Sequence, residues 1–386
     1  MSSIQPLPNA GQVRAAMPGD VRRRSLIFAL AVVAPSVAVY LAAWVLTIVA
    51  PWWLWPVLSP VTGLAAGLLF VLAHDAGHDA LTPYRALNSV VGRVLFLPAW
   101  HCLIGWVHAH NHIHHGWTNY QPRDYVWAPM SLAEYQALPR WKRFFVRRYR
   151  HWPGFGFYYL DEILVKKIWR VQPDTRRGKV RLRWWLDDLF VAAGVVGQSF
   201  LALAIAGRFG VTTHPALVIA AAQVVPCLVA LWLVGFVTYL QHTHPSIPWF
   251  QDLDEWTFYT GQVLGTAHTD FARGINRAIH NIMEHTAHHV DPRIPLYRLA
   301  HAQEKLADKH PPVRHNFTWR SFAYLQRTCQ LYDFEQHCWL SYEGRPTTSR
   351  TIDEEILVRA RASRADAHKQ ATPSMAATML EGSGTA

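Results

Sequence analysis

Residues 280–297 read HNIMEHTAHHVDPRIPLY, and three histidines stand close together within this stretch. His285, His288 and His289 occupy positions i, i+3 and i+4. On an α-helix these positions lie on one face, about one turn apart, so one metal ion could bind all three imidazoles. The stretch therefore predicts a metal-binding helix.

Three more histidine clusters lie upstream of this stretch. They are His74 and His78 in HDAGHDA; His108, His110, His112, His114 and His115 in HAHNHIHH; and His242 and His244 in QHTH. Of the 22 histidines in the chain, 12 fall in the four clusters, which scattered surface histidines would not do. Roughly nine imidazoles exceed the four ligands of one tetrahedral zinc site, and this excess suggests two metal ions.

The composition indicates a membrane protein. Of the 386 residues, 51% are hydrophobic and only 16% are charged, and there are 18 Trp, 17 Phe and 14 Tyr. The four cysteines form no CxxC pair, so neither a disulfide scaffold nor a zinc ribbon is expected. The net charge of +11 could favour binding to nucleic acid, to an anionic bilayer or to an acidic protein. The long apolar runs favour the bilayer, and no nucleic-acid partner is predicted.

Four apolar runs predict transmembrane helices at about residues 25–50, 52–73, 189–207 and 216–240. The first run would be roughly 39 Å long as a helix, against a hydrocarbon core of about 30 Å, so we expect it to span the bilayer with a tilt. A further apolar run, residues 90–107, is interrupted by Arg93 and Pro98 and predicts a re-entrant or interfacial segment.

The N-terminus and a helical cap are expected to lie in the cytoplasm. We predict an all-α integral membrane protein whose membrane domain covers residues 25–345. A cytoplasmic helical cap, residues 108–185 and 241–345, would carry the histidine-rich dimetal site. Residues 1–24 are expected to be a flexible N-terminus and residues 346–386 a loose tail, with one helix near residues 353–361. Residues 120–185 hold 15 Lys and Arg against five Asp and Glu, which favours the cytoplasmic side.

The number of spans between the clusters allows a prediction about the site. Two spans precede His74, and two more lie between the second cluster and His242. If the N-terminus is cytoplasmic, all four clusters then meet at the cytoplasmic face. An odd number of spans would have divided the ligands across the bilayer.

Several motifs resemble those of the membrane-bound fatty acid desaturases. HDAGH resembles their first histidine box, HNHIHHGWTN their second, and HTAHH followed by IPLY their third. TYLQHTHPSIPW and PRDYVWAPMS also resemble the acyl-lipid, Δ12-type branch of that family. The resemblance covers roughly residues 70–345.

The resemblance implies an integral membrane di-iron enzyme that uses O2 to introduce a double bond into the acyl chain of a lipid or other acyl substrate. Carried over by position, the iron ligands would be His74, His78, His110, His114, His115, His244, His285, His288 and His289. The sequence carries no HPGG haem motif, so an external donor of ferredoxin or cytochrome b5 type would supply the electrons. The enzyme is expected in a bacterial inner membrane, with its active site on the cytoplasmic side.

Two features of the sequence leave alternatives open. His110 and His115 are five residues apart, about 140° on an ideal α-helix, whereas His108, His112 and His115 would share a face better. Asp75, Asp79 and Glu284 are candidates to orient the ligands through hydrogen bonds.

The sequence also leaves other functions open. A hydroxylase, an acetylenase or a carotenoid oxygenase of the same superfamily could use the same di-iron centre. A histidine-rich metal transporter would instead need ionisable residues inside the spans, and the four predicted spans carry none.

Overall fold

The computed structural model describes residues 5–172, 178–272 and 274–365, and helices dominate this part of the chain. The α-helices are α1 (Ala10–Arg14), α2 (Leu26–Val49), α3 (Trp55–Gly77), α4 (Arg85–Phe96), α5 (Leu103–Val107), α6 (His115–Trp117), α7 (Leu132–Ala137), α8 (Arg140–Tyr149), α9 (Phe155–Tyr158), α10 (Gly178–Arg208), α11 (Pro215–Ile219), α12 (Val225–His242), α13 (Ile275–Ala278), α14 (His285–Val290), α15 (Leu296–Ala307) and α16 (Trp319–Thr328). Residues 354–365 form a further helix.

Two other helix types interrupt or extend these elements. Segments of π-helix cover His108–His114, Tyr159–Trp169, Ala220–Val224 and Tyr259–Val263. Short 3-10 turns cover Gly19–Arg22, Trp52–Leu54, Leu97–Ala99 and Trp152–Gly154.

Four helical spans among the described residues are long and apolar enough to cross a membrane: Leu26–Val49, Trp52–Gly77, Val180–Arg208 and Pro215–His242. They confirm the four predicted spans. The third begins nine residues earlier than predicted, because its helix continues through the basic residues Arg181 and Arg183 instead of ending at them. Long basic side chains tolerate such a position at the membrane boundary because their charged ends can reach water.

The second and fourth spans form the centre of the bundle. They are 56% and 50% buried in their most apolar part, against 17% for the first and third, which therefore present most of their surface to lipid. Helices α3 and α12 approach closely at Gly63, where a Cβ atom would lie only 2.7 Å from the carbonyl oxygen of Pro226. This contact fixes α12 beside α3, and each helix carries a histidine in its last turn.

Helix α4 and the segment from α5 to α6 form a bent pair. The stretches Arg85–Ala99 and Leu103–Trp117 meet at an angle of 98°. Trp100, which adopts a left-handed conformation with φ of 57°, lies in the break and follows the turn that contains Pro98. The bend agrees with the prediction that residues 90–107 do not form a straight span.

The prediction of an all-α chain is wrong in one detail, because the part outside the spans contains two small sheets. Strand β1 (Ala267–Asp270) pairs in parallel with β2 (Val313–Asn316), with Ala267 opposite Val313. Strand β3 (Leu331–Asp333) pairs antiparallel with β4 (Cys338–Leu340). At three or four residues each, these strands are too short for a period-two hydrophobic pattern to reveal them in the sequence.

Residues 5–24, the described part of the predicted flexible N-terminus, contain a helix and buried side chains. Helix α1 begins with a capping box between Asn9 and Gln12, and Val13 and Val21 are buried. Arg14 Nε donates a hydrogen bond to the carbonyl oxygen of Val290, at the end of α14, over 2.8 Å. Residues 5–24 therefore pack against the third histidine cluster.

The predicted loose tail is also packed where it is described. The expected helix near residues 353–361 is confirmed and runs over residues 354–365. Arg361 forms an ion pair with Glu255, and Leu7 donates its backbone N–H to Ser363 Oγ over 2.8 Å. Residues 366–386 of the predicted tail lie outside the described residues.

Candidate metal centre

Helix α14 presents three histidines, and all three are buried. Its position is fixed from two sides. Gln241, next to the end of α12, donates a side-chain hydrogen bond to the carbonyl oxygen of Ile282 over 2.9 Å. The backbone N–H of Ala287 donates to Gln303 Oε1 of α15 over 2.7 Å.

The structure brings eight imidazoles into two groups, each of which could hold a metal ion. The first group consists of His74, His78, His110 and His288, and the second of His114, His242, His285 and His289. Within each group, one ring nitrogen from every residue lies within 4.8 Å of the others. Histidines from all four sequence clusters therefore converge, as the count of spans predicted.

His115 adjoins the first group. Its Nε2 atom lies 3.1 Å from Nε2 of His110 and 3.1 Å from Nε2 of His288. In the second group, Nε2 of His242 lies 2.9 Å from Nε2 of His285 and 3.1 Å from Nε2 of His114. With His115, nine imidazoles line the centre.

A π-helical turn explains how the second cluster serves both groups. Residues 108–114 are wound as a π-helix, in which backbone hydrogen bonds join positions i and i+5. This winding brings His110 and His115 to the same side of the helix, although an α-helix would separate them by about 140°. His112 is exposed. Of the alternative set His108, His112 and His115, only His115 therefore adjoins the two groups in the described part of the chain.

Outer hydrogen bonds fix several of these imidazoles. Nδ1 of His114 donates to Oδ1 of the buried Asp124 over 3.0 Å. Nδ1 of His289 donates to Gln262 Oε1 over 2.9 Å, and Nδ1 of His242 donates to the carbonyl oxygen of Gly265 over 3.3 Å. Each bond places the proton on Nδ1 and leaves Nε2 as the lone-pair nitrogen, which is how ligand histidines are commonly oriented.

The sequence did not single out Asp124, Gln262 or Gly265. Asp124 stands ten residues after His114, inside the PRDYVWAPMS motif, and that motif was the one available signal. Gln262 and Gly265 belong to a segment with no histidine, so only the folded chain identifies them.

The three acidic residues that the sequence proposed for this role point elsewhere. Oδ2 of Asp75 accepts the backbone N–H of Leu296 over 3.4 Å, and Asp79 forms an ion pair with Arg85 at 3.3 Å. Glu284 Oε2 lies 2.6 Å from Nδ1 of His268. None of these carboxylates has a hydrogen bond to an imidazole of the two groups among the contacts of the described residues.

His244, which the sequence predicted as a ligand, lies outside the two histidine groups. Its Nδ1 accepts the backbone N–H of Ser246 over 3.1 Å, and its ring stacks on that of His315 at 5.0 Å between centroids. His242 takes the place among the clustered imidazoles instead. The physical reason is that His242 is the last residue of α12, whereas His244 lies beyond the helix end and turns away.

The donor set fits metal ions. Ring nitrogens His78 Nε2 and His289 Nε2 are buried without a hydrogen-bond partner, as ligand atoms would be. Two ligand nitrogens at roughly 2.1 Å from one metal ion and at right angles to each other are about 3.0 Å apart. The separations of 2.9 and 3.1 Å between His242 and its neighbours match that spacing.

The protonation state of the third cluster also suits metal binding. Burial, and next the neighbouring imidazoles, hold the pKa values of His285, His288 and His289 well below the ordinary value of 6.5. These rings are therefore neutral at physiological pH, and neutral imidazole is the form that binds transition metals.

An apolar cavity of about 210 Å³ adjoins the two groups. Along α12 it extends from Leu233 to His242, roughly 14 Å of helix. Its remaining wall is largely apolar and includes Phe70, Val71, Ile163, Val237 and Ile282. Five of the clustered histidines also line it: His74, His110, His114, His242 and His285. We call it the apolar cavity.

Comparison with known proteins gives a consistent result. Residues 50–321 match the family model described as fatty acid desaturase. The chain is 31% identical over 294 residues to an sn-1 oleoyl-lipid 12-desaturase of a Synechocystis species, covering 74% of this chain and 78% of the relative.

Two further relatives carry similar names. An sn-1 oleoyl-lipid 12-desaturase of a Picosynechococcus species is 27% identical, over 80% of this chain and 85% of its own length. The chloroplastic omega-6 fatty acid desaturase of Arabidopsis thaliana is 26% identical, over 83% of this chain and 69% of its own length.

Proposed function

The chain belongs to the fatty acid desaturase family and is an oxidoreductase, and from that premise we propose that it places a double bond at a Δ12-type position of a lipid-bound acyl chain. The names of the relatives, which are 12-desaturases and omega-6 desaturases, support this position of the double bond. The lipid carrier is supported by the same names, two of which specify an oleoyl-lipid.

The observation that carries the proposal is the contact between the apolar cavity and the imidazoles. A saturated stretch of acyl chain binds in an apolar environment, because removing its methylene groups from water lowers the free energy. The cavity provides such walls along α3 and α12 and includes five histidines of the two groups. A methylene group inside it would therefore lie beside the candidate metal centre.

We assign two iron ions to the two histidine groups. One ion would be held by His74, His78, His110, His115 and His288, and the other by His114, His242, His285 and His289. Iron bound there would supply the activation of O2 that redox-silent zinc cannot provide. The residues themselves orient the ligand nitrogens, through Asp124, Gln262 and Gly265, and keep the substrate carbon in a cavity with largely apolar walls.

The balance of the reaction defines the partners. Two hydrogen atoms leave neighbouring carbons of the acyl chain, and an external donor supplies two electrons. The two hydrogen atoms carry two electrons and two protons. Together with the donor's two electrons and two protons from the solvent, they reduce O2 to two molecules of water. A separate donor of ferredoxin or cytochrome b5 type fits the chain, since the sequence contains no HPGG haem motif.

We place the site on the cytoplasmic face of a bacterial inner membrane. Arg22, Arg23 and Arg24 precede the first span, and Arg181 and Arg183 lie at the start of the third. Two spans separate these two sets of arginines, so both sets lie on the same side of the membrane as the histidines. An excess of positive charge marks the cytoplasmic side. The side can be tested with reporter fusions after residue 24 and after residue 365.

Product analysis tests the proposed function directly. The chain is expressed in a host that makes oleoyl lipids but no dienoic acids, and its lipids are examined by gas chromatography. New Δ9,Δ12-dienoic acid that requires O2, together with about two irons per purified chain, is the expected result. Hydroxylated or acetylenic lipids, or oxidised carotenoids, would show that the enzyme catalyses another reaction of the same superfamily. Bound zinc without turnover would favour a metal-transport role.

A further inference from the structure

A second cavity, of about 750 Å³, lies between α8, the segment of residues 121–130 and the π-helical segment 159–169. Tyr125 and Tyr158 line both this cavity and the apolar cavity. Tyr158 donates its hydroxyl hydrogen to the carbonyl oxygen of Tyr125 over 2.8 Å, so the two residues form one shared wall. The proposed reaction assigns no role to this second cavity, which we call the polar cavity.

Four cations and three carboxylates line the polar cavity, and three of the four cations have no carboxylate partner among the described residues. Its charged residues are Asp124, Lys142, Arg150, Asp161, Glu162, Lys166 and Lys167. Asp124 accepts hydrogen bonds from His114 and from backbone N–H groups. Asp161 and Glu162 both pair with Lys166, at 3.0 and 2.8 Å. Lys142, Arg150 and Lys167 have no ion pair with a carboxylate among the described residues.

Arg150 is the least expected of these cations, because it is only 8% exposed. Its Nη2 atom donates to the carbonyl oxygens of Trp127 and Ala128 over 2.7 and 2.9 Å, while Nη1 has no hydrogen-bond partner. A buried guanidinium without a counter-ion is costly. An anion bound in the polar cavity would neutralise this charge, and arginine is well suited to phosphate.

The surroundings of the polar cavity indicate where the anion comes from. Helix α8, which supplies Lys142 and Trp141 to the cavity, has the sequence RWKRFFVRRY. Its aromatic residues Trp141, Phe144 and Phe145 are exposed and lie among Arg and Lys residues. Exposed aromatic residues among basic ones are typical of a helix that lies in the membrane interface, at the depth of lipid headgroups.

We propose that the polar cavity binds the phosphate of a glycerophospholipid headgroup, with Arg150, Lys142 and Lys167 as its cationic partners. One acyl chain of the same lipid then passes Tyr125 and Tyr158 into the apolar cavity. The assignment of that acyl chain rests on the proposed desaturase function, and it specifies a phospholipid as the carrier. The bound headgroup would fix which carbon atoms of the acyl chain lie beside the histidines.

The test measures binding without turnover. A fluorescent short-chain phosphatidylglycerol is titrated onto the full-length, iron-loaded enzyme in a nonionic detergent. We expect the double variant K142Q/K167Q to weaken binding about tenfold, since each lysine loses a charge-assisted contact, and Arg150→Gln to weaken it at least as much. Arg148→Gln is the matched control, because Arg148 carries the same charge on α8 and does not line the polar cavity.

Competition experiments distinguish the sources of the anion. A galactolipid with the same short acyl chains, which has no phosphate, should fail to displace the probe, and so should millimolar inorganic phosphate. If inorganic phosphate displaced the probe as effectively as phosphatidylglycerol does, the polar cavity would be a site for a free anion. That result would overturn the proposal that it binds a lipid headgroup. Equal displacement by the galactolipid, or equal affinity of all variants, would overturn recognition of the phosphate.

Two further measurements keep the results interpretable. Thermal unfolding shows whether Arg150→Gln is folded; if it is not, the double lysine variant alone decides, because Lys142 is exposed and Lys167 is half-buried. Gas chromatography on the same preparations reports desaturation separately. Phosphate-dependent binding without any new double bond would retain the headgroup site and reject the proposed desaturase function.

Discussion

Nε2 of His110 lies 3.1 Å from Nε2 of His115, although the two residues are five positions apart in the chain. The π-helical winding of residues 108–114 makes this approach possible, because its turn contains more residues than an α-helical turn. One short helix thereby supplies His110 and His115 to the first histidine group and His114 to the second. Isolated π-helical turns are often found at functional sites.

Shortening this turn should disrupt the centre. Deleting Ile113 removes one residue between His110 and His114, which turns the two ends of the segment by about 100° relative to each other. We expect the variant to bind less than half of the normal iron and to form no measurable product. Ile113→Ala keeps the length and should retain both. Iron analysis of the purified proteins decides, and normal iron in the deletion variant would contradict the role of the π-turn.

His242 and His244 provide a direct comparison between the two candidate ligands. His242→Ala removes an imidazole that lies 2.9 Å from His285, so iron content should fall by about half. Loss of a residue that only hydrogen-bonds to a ligand lowers activity roughly tenfold to a hundredfold. Loss of His242, a proposed ligand itself, should lower activity by more than that. His244→Ala loses only the contacts with Ser246 and His315 and should keep its iron. The reverse pattern would restore His244 as the ligand.

Asp124 is expected to act through His114. Asp124→Asn keeps the size of the side chain and removes the charge that orients Nδ1 of His114, so iron affinity should fall by roughly tenfold to a hundredfold. Asp79→Asn is the control, since Asp79 faces Arg85 and asparagine tolerates its left-handed backbone, φ of 56°. Iron affinity is measured by competition with a chelator, and equal values for the two variants would exclude the role of Asp124.

The apolar cavity can be blocked without touching a histidine. Val237 lines this cavity, and Val237→Trp would fill much of its 210 Å³ or so. Desaturation of oleoyl lipid should fall at least about tenfold while the iron content stays normal. Val196→Trp makes the same change on the exposed face of α10, where Val196 is 54% exposed, and should be active. Full activity of Val237→Trp would show that the substrate takes another route.

The packing of the N-terminal residues on α14 should contribute to stability. Asp291 is fully buried and pairs with Arg22 at 2.5 Å and with Arg293 at 3.0 Å. Asp291→Ala removes the hydrogen bonds to two guanidinium groups that remain partly exposed to water, so it should destabilise the fold by on the order of 2 kcal/mol. The melting temperature should fall by several degrees. Asp308→Ala, at an exposed position, serves as the control, and equal melting of the two variants would rule out the pair as a stabilising contact.

The sequence by itself determined the membrane helices and the chemical type of the site. An apolar run of about 20 residues can satisfy its backbone in a bilayer only as a helix, so four runs of about 19 to 26 residues were sufficient to predict four spans. Two histidine clusters follow the second and fourth runs, and an even number of spans separates any two of the four clusters. This count predicted that the clusters meet. The i, i+3, i+4 spacing of His285, His288 and His289 likewise predicted one shared helical face.

Only the tertiary structure decided how the imidazoles are divided. Helix α14 gives His288 to one group and His285 and His289 to the other. The ring of His288 lies beside those of His74 and His78, whereas the rings of His285 and His289 lie beside that of His242. The choice of His242 over His244 depends on where α12 ends, and the partners Asp124 and Gln262 depend on contacts between distant segments. Hydrophobic period and residue spacing are local properties of the chain. The direction in which a side chain points into a shared space is set by the helices that cross there.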